Sequence, residues 1–473
     1  MARSPGEWID YLTQQMDVRR ARLNQLRAYM TGDAPVPDGS DGNREAYLAL
    51  QKKARTNFAE LVVESVADRM RVSGFRVGDS TEDDDTARQF WVDNRMQVAA
   101  ADVHRDSLGL GEAYVMVSPP EAEGESPVIT AERPEQVITE PDPVRSDVVR
   151  AGLKVWRDEV EGIDFAYLHL PGMLHTYYRP AETSATPRAD DPIFRAAGGW
   201  LPMTEEDEGY ATGLRVVPIV PFFNRDHRGE FENHTDVLDR INWIILQRLV
   251  ITAMQAYRQR AIKGGDRLPE TDASGDPVDY AKEFKPGPDA LWLLPEGAEL
   301  WESTPAQLQD VLESVKADVT HLAAVTRTPI SALMPESQNQ SAEGAAFARE
   351  GLVFKTEDRI ARVDPSWQRV LRIAFAMSNE DLRDDPPEVD VRWFPAESES
   401  MSERYDALSK AGTDVPWRTK MTSILQFSDH ETDRMEAERV NDAMLAASLA
   451  PPPAPAAEQE PDEEPVTDDG STA

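Results

Sequence analysis

The sequence predicts an α+β fold in which a β-rich region interrupts a mostly helical chain. Apolar residues recur at three-to-four spacing, typical of amphipathic helices, over 7–30, 57–71 and 86–108. From Glu112 to Phe223 the apolar period changes to two, which indicates strands separated by Pro and Gly clusters. After this region, residues 235–263 form a helix with apolar side chains on every side, and such a helix must be buried all round.

Composition excludes several classes of protein. The 473 residues contain 50 Lys and Arg against 86 Asp and Glu, a net charge of −36. Such a surface repels polyanions, which excludes a typical sequence-specific DNA-binding protein. Because the chain has no cysteine, it cannot form disulfides, Cys-ligated metal sites or thiol nucleophiles. We see no secretory signal and no apolar run of about 18 residues, so we expect no membrane association.

Local signals set the bounds of the first half. Asn57 is placed to cap the second helix, and a strand is expected over 72–77. The acidic run Asp79–Asp85 could bind calcium, but it lacks the Gly and terminal Glu of an EF-hand. We therefore favour a solvated loop that precedes the next helix. The strand candidates of the β-rich region are 112–118, 148–157, 164–170, 174–179 and 214–223.

The pattern in the middle of the chain predicts a small β element between two helices. Eleven Gly and Pro residues interrupt 264–305, with strands expected at 290–294 and 299–302. A second helix should begin with Thr304 as N-cap and end near Arg327, because Pro329 follows. The all-round apolar helix before it lies either at the centre of one large core or against copies of itself.

The last part is again helical. A polar run at 336–340 precedes a long helix, about 341–378, which Pro365 should kink or break. A strand at 389–394 follows, and then helices over 402–449 with a turn between Gly412 and Pro416. From Pro451 onward the chain has six Pro, seven acidic residues and no basic residue, so we expect a disordered tail.

The sequence offers no catalytic motif. It contains no P-loop, HExxH or GxSxG, and Gly109-Leu110-Gly111 lacks the third glycine of a dinucleotide fingerprint. His227 and His234, with acidic residues between them, could bind a metal, but a polar loop is the favoured interpretation. We therefore predict no catalytic residue, no cofactor and no metal, and no enzymatic activity.

Several short sequence segments, combined with the order of the predicted helices and strands, resemble those of a known family. They are 57–69 (NFAELVVESVADR) before Gly74-Phe75, 217–224 (VPIVPFFN), 239–242 (DRIN), and 326–330 (TRTPI) ahead of 341–345 (SAEGA). Over about 7–450 the chain resembles the portal proteins of tailed bacteriophages, in particular the SPP1-like group found in phages of actinobacteria.

The resemblance implies a portal fold assembled as a ring, usually a dodecamer, at one capsid vertex. Its parts would be a β-rich wing, a two-helix stem, a small β clip, a tunnel loop, a long kinked wing helix and a helical crown. The expected bounds are wing 1–230 and 343–400, stem 231–263 and 304–328, clip 264–303, tunnel loop 329–342, crown 401–450 and tail 451–473.

The resemblance also implies roles for individual residues. The DNA-facing tunnel loop would present Glu336, Ser337, Gln338, Asn339, Gln340 and Ser341. Packing between subunits in the stem would use Ile241, Ile244, Ile245, Leu249, Leu312 and Val315. Docking through the clip would use Arg267, Asp279, Lys282 and Lys285.

The function implied is a conduit for DNA packaging and ejection. The implied partners are further copies of the chain, the terminase large subunit, a head–tail connector or adaptor, the major capsid and scaffold proteins, and double-stranded DNA without sequence specificity. The protein would occupy the virion vertex and, during assembly, the host cytoplasm. The alternatives are another virion structural protein, such as a minor head or connector component, and a metal-dependent hydrolase using His227 and His234.

Overall fold

A computed structural model describes most of the chain. The described residues are 3–37, 45–80, 82–181, 188, 191, 194–204, 208–256, 260–263, 271, 275, 277–278, 299–302, 308–334, 342–397 and 401–449. The helices within them are α1 (Pro5–Met30), α2 (Glu45–Lys53), α3 (Phe58–Ala67), α4 (Asp85–Asp93), α5 (Met96–Leu110), α6 (Thr235–Ala256), α7 (Gln309–Thr326), α8 (Ile330–Leu333), α9 (Ala342–Ser378), α10 (Met401–Lys410), α11 (Trp417–Thr419) and α12 (Asp429–Leu449).

The strands form four antiparallel groups. They are β1 (Val72–Val77), β2 (Glu112–Ser118), β3 (Val128–Glu132), β4 (Val137–Pro141), β5 (Val149–Asp158), β6 (Ile163–Leu170), β7 (Met173–Pro180), β8 (Leu201–Pro202), β9 (Tyr210–Ala211), β10 (Ile219–Phe223), β11 (Arg260–Lys263), β12 (Glu299–Glu302) and β13 (Val389–Trp393). The largest sheet has the order β4-β5-β6-β7-β8, with β9 also on β7; the others are β10-β2-β3, β1-β13 and β11-β12.

Helix α1 joins two hydrophobic cores. Its first half buries Trp8 and Leu12 against one face of the large sheet. Its second half buries Leu23 and Tyr29 in the main core, which also contains α3, α5, β2, α6 and α9. Ser4 begins the helix with a capping box to Glu7, which satisfies backbone donors at the first turn. One long helix therefore fixes the sheet relative to the helical part.

Aromatic packing around Trp367 on α9 forms the centre of the main core. The Trp367 side chain is fully buried, and its ring centroid lies 4.6 Å from that of Phe222 and 5.0 Å from that of Trp91. Its indole Nε1 donates a hydrogen bond to Nε2 of the buried His104, at 2.9 Å. Because the only polar atom of the indole has a partner, this large side chain is buried without leaving an unsatisfied donor.

The mixed helix and strand architecture predicted from the sequence is confirmed. Several details differ. The helix expected over 235–263 runs only to Ala256 as α6, and residues 260–263 form strand β11 instead. The expected helix over 86–108 is two helices, because Arg95 adopts a left-handed conformation with φ of 53°. Helix α2 and strands β3 and β4 were not predicted. Of the two outcomes expected at Pro365, a kink or a break, the break is wrong, because helix α9 continues through it. The expected strand at 290–294 and the acidic tail lie outside the described residues.

Candidate functional site

A buried ionic cluster joins the segments on either side of 335–341, the segment that contains most of the expected tunnel loop. Glu230 is its centre. The Glu230 amide donates to the carbonyl of Leu108 at the end of α5, at 2.8 Å. Its carboxylate accepts from Asn224 Nδ2 at 3.0 Å. These contacts place the carboxylate beside α9, just before the chain enters α6.

Two cations from α9 neutralise Glu230. Lys355 Nζ lies 2.8 Å from its Oε2, and Arg359 Nε lies 2.6 Å from its Oε1. Lys355 also donates to the carbonyl of Thr326 at the end of α7, at 2.8 Å. The ammonium therefore satisfies one of the orphan carbonyls that every helix C-terminus leaves. We call Glu230, Thr326, Lys355 and Arg359 the junction.

The charges in the junction compensate one another. Burial would raise the pKa of Glu230, but Lys355 and Arg359 outweigh it, so its pKa lies below the ordinary value. Burial lowers the pKa of Lys355, and the attraction of Glu230 offsets only part of that effect. We therefore expect both Glu230 and Lys355 to be charged at neutral pH. Removing either partner would leave an uncompensated charge in a low-dielectric interior.

The chain reverses sharply where α7 ends. Arg327 has φ of 53°, and its amide donates back to the carbonyls of Ala323 and Ala324, which closes the helix as an αL cap. Pro329 then begins the short helix α8, whose Leu333 is buried. The junction and this cap together hold one end of the segment that leads to residue 335.

Helices α6 and α7 pack together and are tied to the rest of the chain by polar contacts. Arg240 Nη2 lies 2.8 Å from Asp318 Oδ1 across the pair. Buried Asn242 accepts from both the amide and the hydroxyl of Thr56, at 3.0 and 2.7 Å. The Tyr29 hydroxyl donates to Asp239 at 2.6 Å. The beginning of α6 is thus fixed to the N-terminal helices.

The predicted stem positions fall into two groups. Ile241 and Ile245 are buried in the main core of their own chain, with exposed fractions of 0% and 7%. Ile244, Leu249, Leu312 and Val315 are half-buried. On the same helices Trp243 is 40% exposed and Val325 is 50% exposed. One chain therefore covers one side of the helix pair and leaves apolar surface on the other.

The other predicted site residues lie outside the described residues. These are the tunnel-loop positions Glu336, Ser337, Gln338, Asn339, Gln340 and Ser341, and the clip positions Arg267, Asp279, Lys282 and Lys285. Strand β11, just before the expected clip, and β12, at its end, are described, and they pair in antiparallel register from Arg260 opposite Glu302. The chain therefore enters and leaves the expected clip at neighbouring positions.

The histidine cluster does not assemble as a metal site in the described part of the chain. The His227 ring packs on Phe223, with centroids 4.2 Å apart, and Glu230 and Glu232 are engaged by Lys355 and Arg22 respectively. No group of three potential ligands is found among the described residues. The acidic loop acts locally instead: Asp83 accepts from the amide of Phe75, and Asp84 caps α4.

Gly109 lies in the last turn of α5, and Gly111 forms the tight turn that ends this helix. Gly111 has φ of 86°, and a Cβ there would lie 2.5 Å from the carbonyl oxygen of His227. Only glycine fits this conformation and this close approach.

Among the helices that the structure describes, none has the length and apolar character needed to cross a bilayer.

Sequence reasoning missed the junction. The available signal was the placement of Lys355 and Arg359 on the same side of α9 as buried Leu352 and Val363, where a charge needs a partner. Glu230, more than 120 residues earlier, gave no sign that it was that partner. Because the partners are so far apart in the sequence, no local pattern indicated that they pair.

Comparison with known proteins identifies the family. The family described as "Phage portal protein, SPP1 Gp6-like" matches residues 9–443, almost the whole chain. The chain belongs to this phage portal protein family. Proteins named "Portal protein" from Mycobacterium phage D29 and Mycobacterium phage L5 are each 25% identical over 419 residues, which is 84% of this chain and 81% of theirs. The predicted family is thus confirmed.

Two solved structures also resemble this portal family member. One is titled "Virion of native gene transfer agent (GTA) particle", with a TM-score of 0.38, 13% identity, and coverage of 84% of this chain and 98% of that chain. The other is the neck of an empty GTA particle, with a TM-score of 0.42, 13% identity, and coverage of 84% and 97%. Membership in the family rests on the sequence match.

Proposed function

We propose that the chain assembles into a closed ring, with a dodecamer as the expected number, that forms the DNA channel at one vertex of a phage head. Family membership supports this assignment. A ring of identical subunits needs two different complementary faces on each copy, because head-to-tail contacts must close on themselves. In this proposal the site of action is the virion vertex, reached from the host cytoplasm during assembly.

The observation that carries the proposal is the incomplete burial of the α6–α7 pair. Its inner side is covered by the chain's own core, whereas Trp243 and Val325 are left in solvent. A tryptophan contributes a large apolar area when it is buried, so a neighbouring subunit that covers it gains stability. The half-buried Ile244, Leu249, Leu312 and Val315 would join that contact. Ile241 and Ile245, already buried, would support it from behind.

The proposed DNA-facing element is the polar run at 336–341. Ser, Gln and Asn side chains can form hydrogen bonds with a phosphate backbone at any sequence, and they carry no positive charge to retain it. Each phosphate neutralised by a cation adds affinity, so basic residues would slow DNA moved by a motor. The junction holds the chain on the N-terminal side of this run.

Docking is proposed to occur mainly through the clip, 264–303. Its partners would be the terminase large subunit during packaging and a head–tail connector afterwards, and the wing would meet the major capsid and scaffold proteins. Arg267, Asp279, Lys282 and Lys285 are the proposed docking residues. They include both signs of charge, which suits a contact specified by arrangement rather than by net charge.

Negative-stain electron microscopy of the purified protein tests the ring. End views should show a ring with a central opening wide enough for a DNA duplex. Monomeric or solid particles under every assembly condition would contradict the proposal. A Trp243→Glu variant should shift the protein toward monomer in light scattering, because a charged side chain at an apolar contact costs several kcal/mol.

A deletion of residues 337–340 tests the tunnel loop. We expect rings of normal size that package DNA poorly in a motor-driven packaging assay. The matched control deletes four residues of the tail, 470–473, and should package normally. A 337–340 deletion that packages as well as the parent protein would remove the DNA-facing role while leaving the ring intact.

A further inference from the structure

An arginine-rich groove lies beside the second half of α9, beyond the part of the helix that carries Lys355 and Arg359. It has a volume of about 490 Å³. Its walls are the second half of α9 and the loop after it, the turn between β4 and β5, and the segment 214–217 before β10. The groove is independent of the ring proposed above, since all of its walls belong to one chain.

The charge of the groove is opposite to that of the whole chain. Its lining has five arginines and two carboxylates, although acidic residues outnumber basic ones in the sequence. The arginines are Arg145, Arg215, Arg369, Arg372 and Arg383, and the carboxylates are Asp147 and Asp384. A local excess of guanidinium groups is the usual recognition surface for carboxylates and phosphates.

The carboxylates do not neutralise these arginines fully. Asp384 pairs with Arg215 at 2.9 Å, Glu380 pairs with Arg383 at 3.1 Å, and Asp147 lies 3.8 Å from Arg369. Arg372 has no carboxylate in ion-pair contact among the residues that the structure describes. Burial, reinforced by the nearby Arg372, holds the pKa of Arg369 below its ordinary value despite Asp147. An additional anion in the groove would therefore be attracted.

The shape and the apolar lining favour a peptide over a small anion. Between the arginines the groove exposes Val148, Val149 and Val216, and the exposed fraction of Val216 is 45%. Three prolines, Pro171, Pro365 and Pro386, complete its surface. An extended segment that alternates carboxylates with apolar residues and prolines matches both features.

We propose that the groove binds the chain's own acidic C-terminal tail, residues 451–473. The tail has seven acidic residues, six prolines and no basic residue, so its charge and composition complement the groove. Proline-rich segments favour an extended conformation, which lowers the entropy lost when they bind. The tail is the only part of the sequence that combines these features over twenty residues or more.

The tail is long enough to reach the groove of its own chain. Helix α12 begins at Asp429, which pairs with Arg76 on β1 at 3.1 Å. Arg76 lies opposite Asp390 on β13, a few residues beyond Pro386 at the groove. The 21 residues of α12 extend about 30 Å from there. Twenty-three extended residues span roughly 75 Å, so the tail can return along the helix.

A spin label on the tail of the full-length protein tests the proposal. Because the chain has no cysteine, Ser471→Cys provides a unique attachment site for a nitroxide. We expect a largely immobilised spectrum in low salt. The double variant Arg369→Gln/Arg372→Gln should shift the bound–free equilibrium by about tenfold or more, which corresponds to about 1.4 kcal/mol. Salt at about 1 M should have the same effect, since it screens beyond roughly 3 Å.

Two further variants make the result decisive. A second pair of exposed arginines outside the groove, Arg392→Gln/Arg434→Gln, is the matched control and should leave the label immobilised. A tail with its seven acidic residues changed to Asn or Gln should be released although the groove is intact. A label that is mobile in the parent protein, or one that the groove variant does not release, overturns the proposal and leaves an acidic segment of another protein as the candidate occupant.

Discussion

Two tryptophans show how differently this chain treats the proposed wing and the proposed stem. Trp367 on α9 is fully buried, packed edge-to-face against neighbouring aromatic rings, and hydrogen-bonded to His104. Trp243 on α6 is 40% exposed and lines a small pocket with Pro35 and Pro37. The core of the proposed wing is thus closed around Trp367 within one chain, whereas the proposed stem leaves part of an apolar side chain exposed. We expect a subunit to fold through that core and, in the proposed ring, to associate through the proposed stem.

The largest expected effect on folding is at Trp367. Trp367→Ala should lower the free energy of unfolding by about 4 kcal/mol, because it leaves a cavity and removes the hydrogen bond to His104. Denaturant unfolding followed by circular dichroism measures this change. A loss below about 1 kcal/mol would show that the wing core tolerates a cavity, and the contrast with the stem would fail.

The junction should be almost as sensitive. Lys355→Met leaves Glu230 with Arg359 alone and removes the donor to the Thr326 carbonyl, so we expect a loss of about 3 kcal/mol in unfolding free energy. Adding Glu230→Gln should restore part of it. The control Lys410→Met breaks only a surface pair with Asp406 and should change unfolding little. Equal effects of the two lysine variants would contradict the assignment.

The wing core should also respond to pH through His104. Burial lowers its pKa to about 4 in the folded chain, against about 6.5 when unfolded. The unfolded state therefore takes up a proton first, and stability falls as the pH drops from 7 toward 4. The contribution is roughly 2 kcal/mol between pH 7 and 5. His104→Gln should remove this contribution from the pH dependence of the unfolding free energy, so that Tm falls less between pH 7 and pH 5 than in the parent protein. An unchanged pH dependence of Tm would show that His104 is not responsible.

The smallest effect on subunit folding is expected at the stem. Trp243→Ala should change the unfolding free energy of a subunit by about 1 kcal/mol, well below the effect at Trp367, since 40% of Trp243 is already exposed. Its effect should appear instead in the assembly state measured by light scattering. The control Val160→Ala removes an exposed side chain from the turn between β5 and β6 and should change neither quantity. A Trp243 variant that destabilises the subunit but assembles normally would invert the comparison.

The sequence predicted the parts of the fold that depend on local patterns. The periodicity of 7–30 and of 164–170 was sufficient because each segment buries a regular set of side chains. The break at Arg95 was not predictable, since an arginine with positive φ has no local signal. The exposed side of α6 was also missed: an apolar helix indicates burial, but it does not tell whether one chain or several provide the cover. The junction required contacts between distant segments.

Lys355 divides its hydrogen bonds between a side chain and the end of another helix, and this has a mechanical consequence. If α9 slid by one turn relative to α7, Glu230 would lose its counter-charge and the Thr326 carbonyl its donor at the same moment. The cost of stranding a carboxylate in the interior rises steeply over a fraction of a helical turn. The two helices should therefore move as one rigid unit, so that a displacement of the end of α7 also displaces α9.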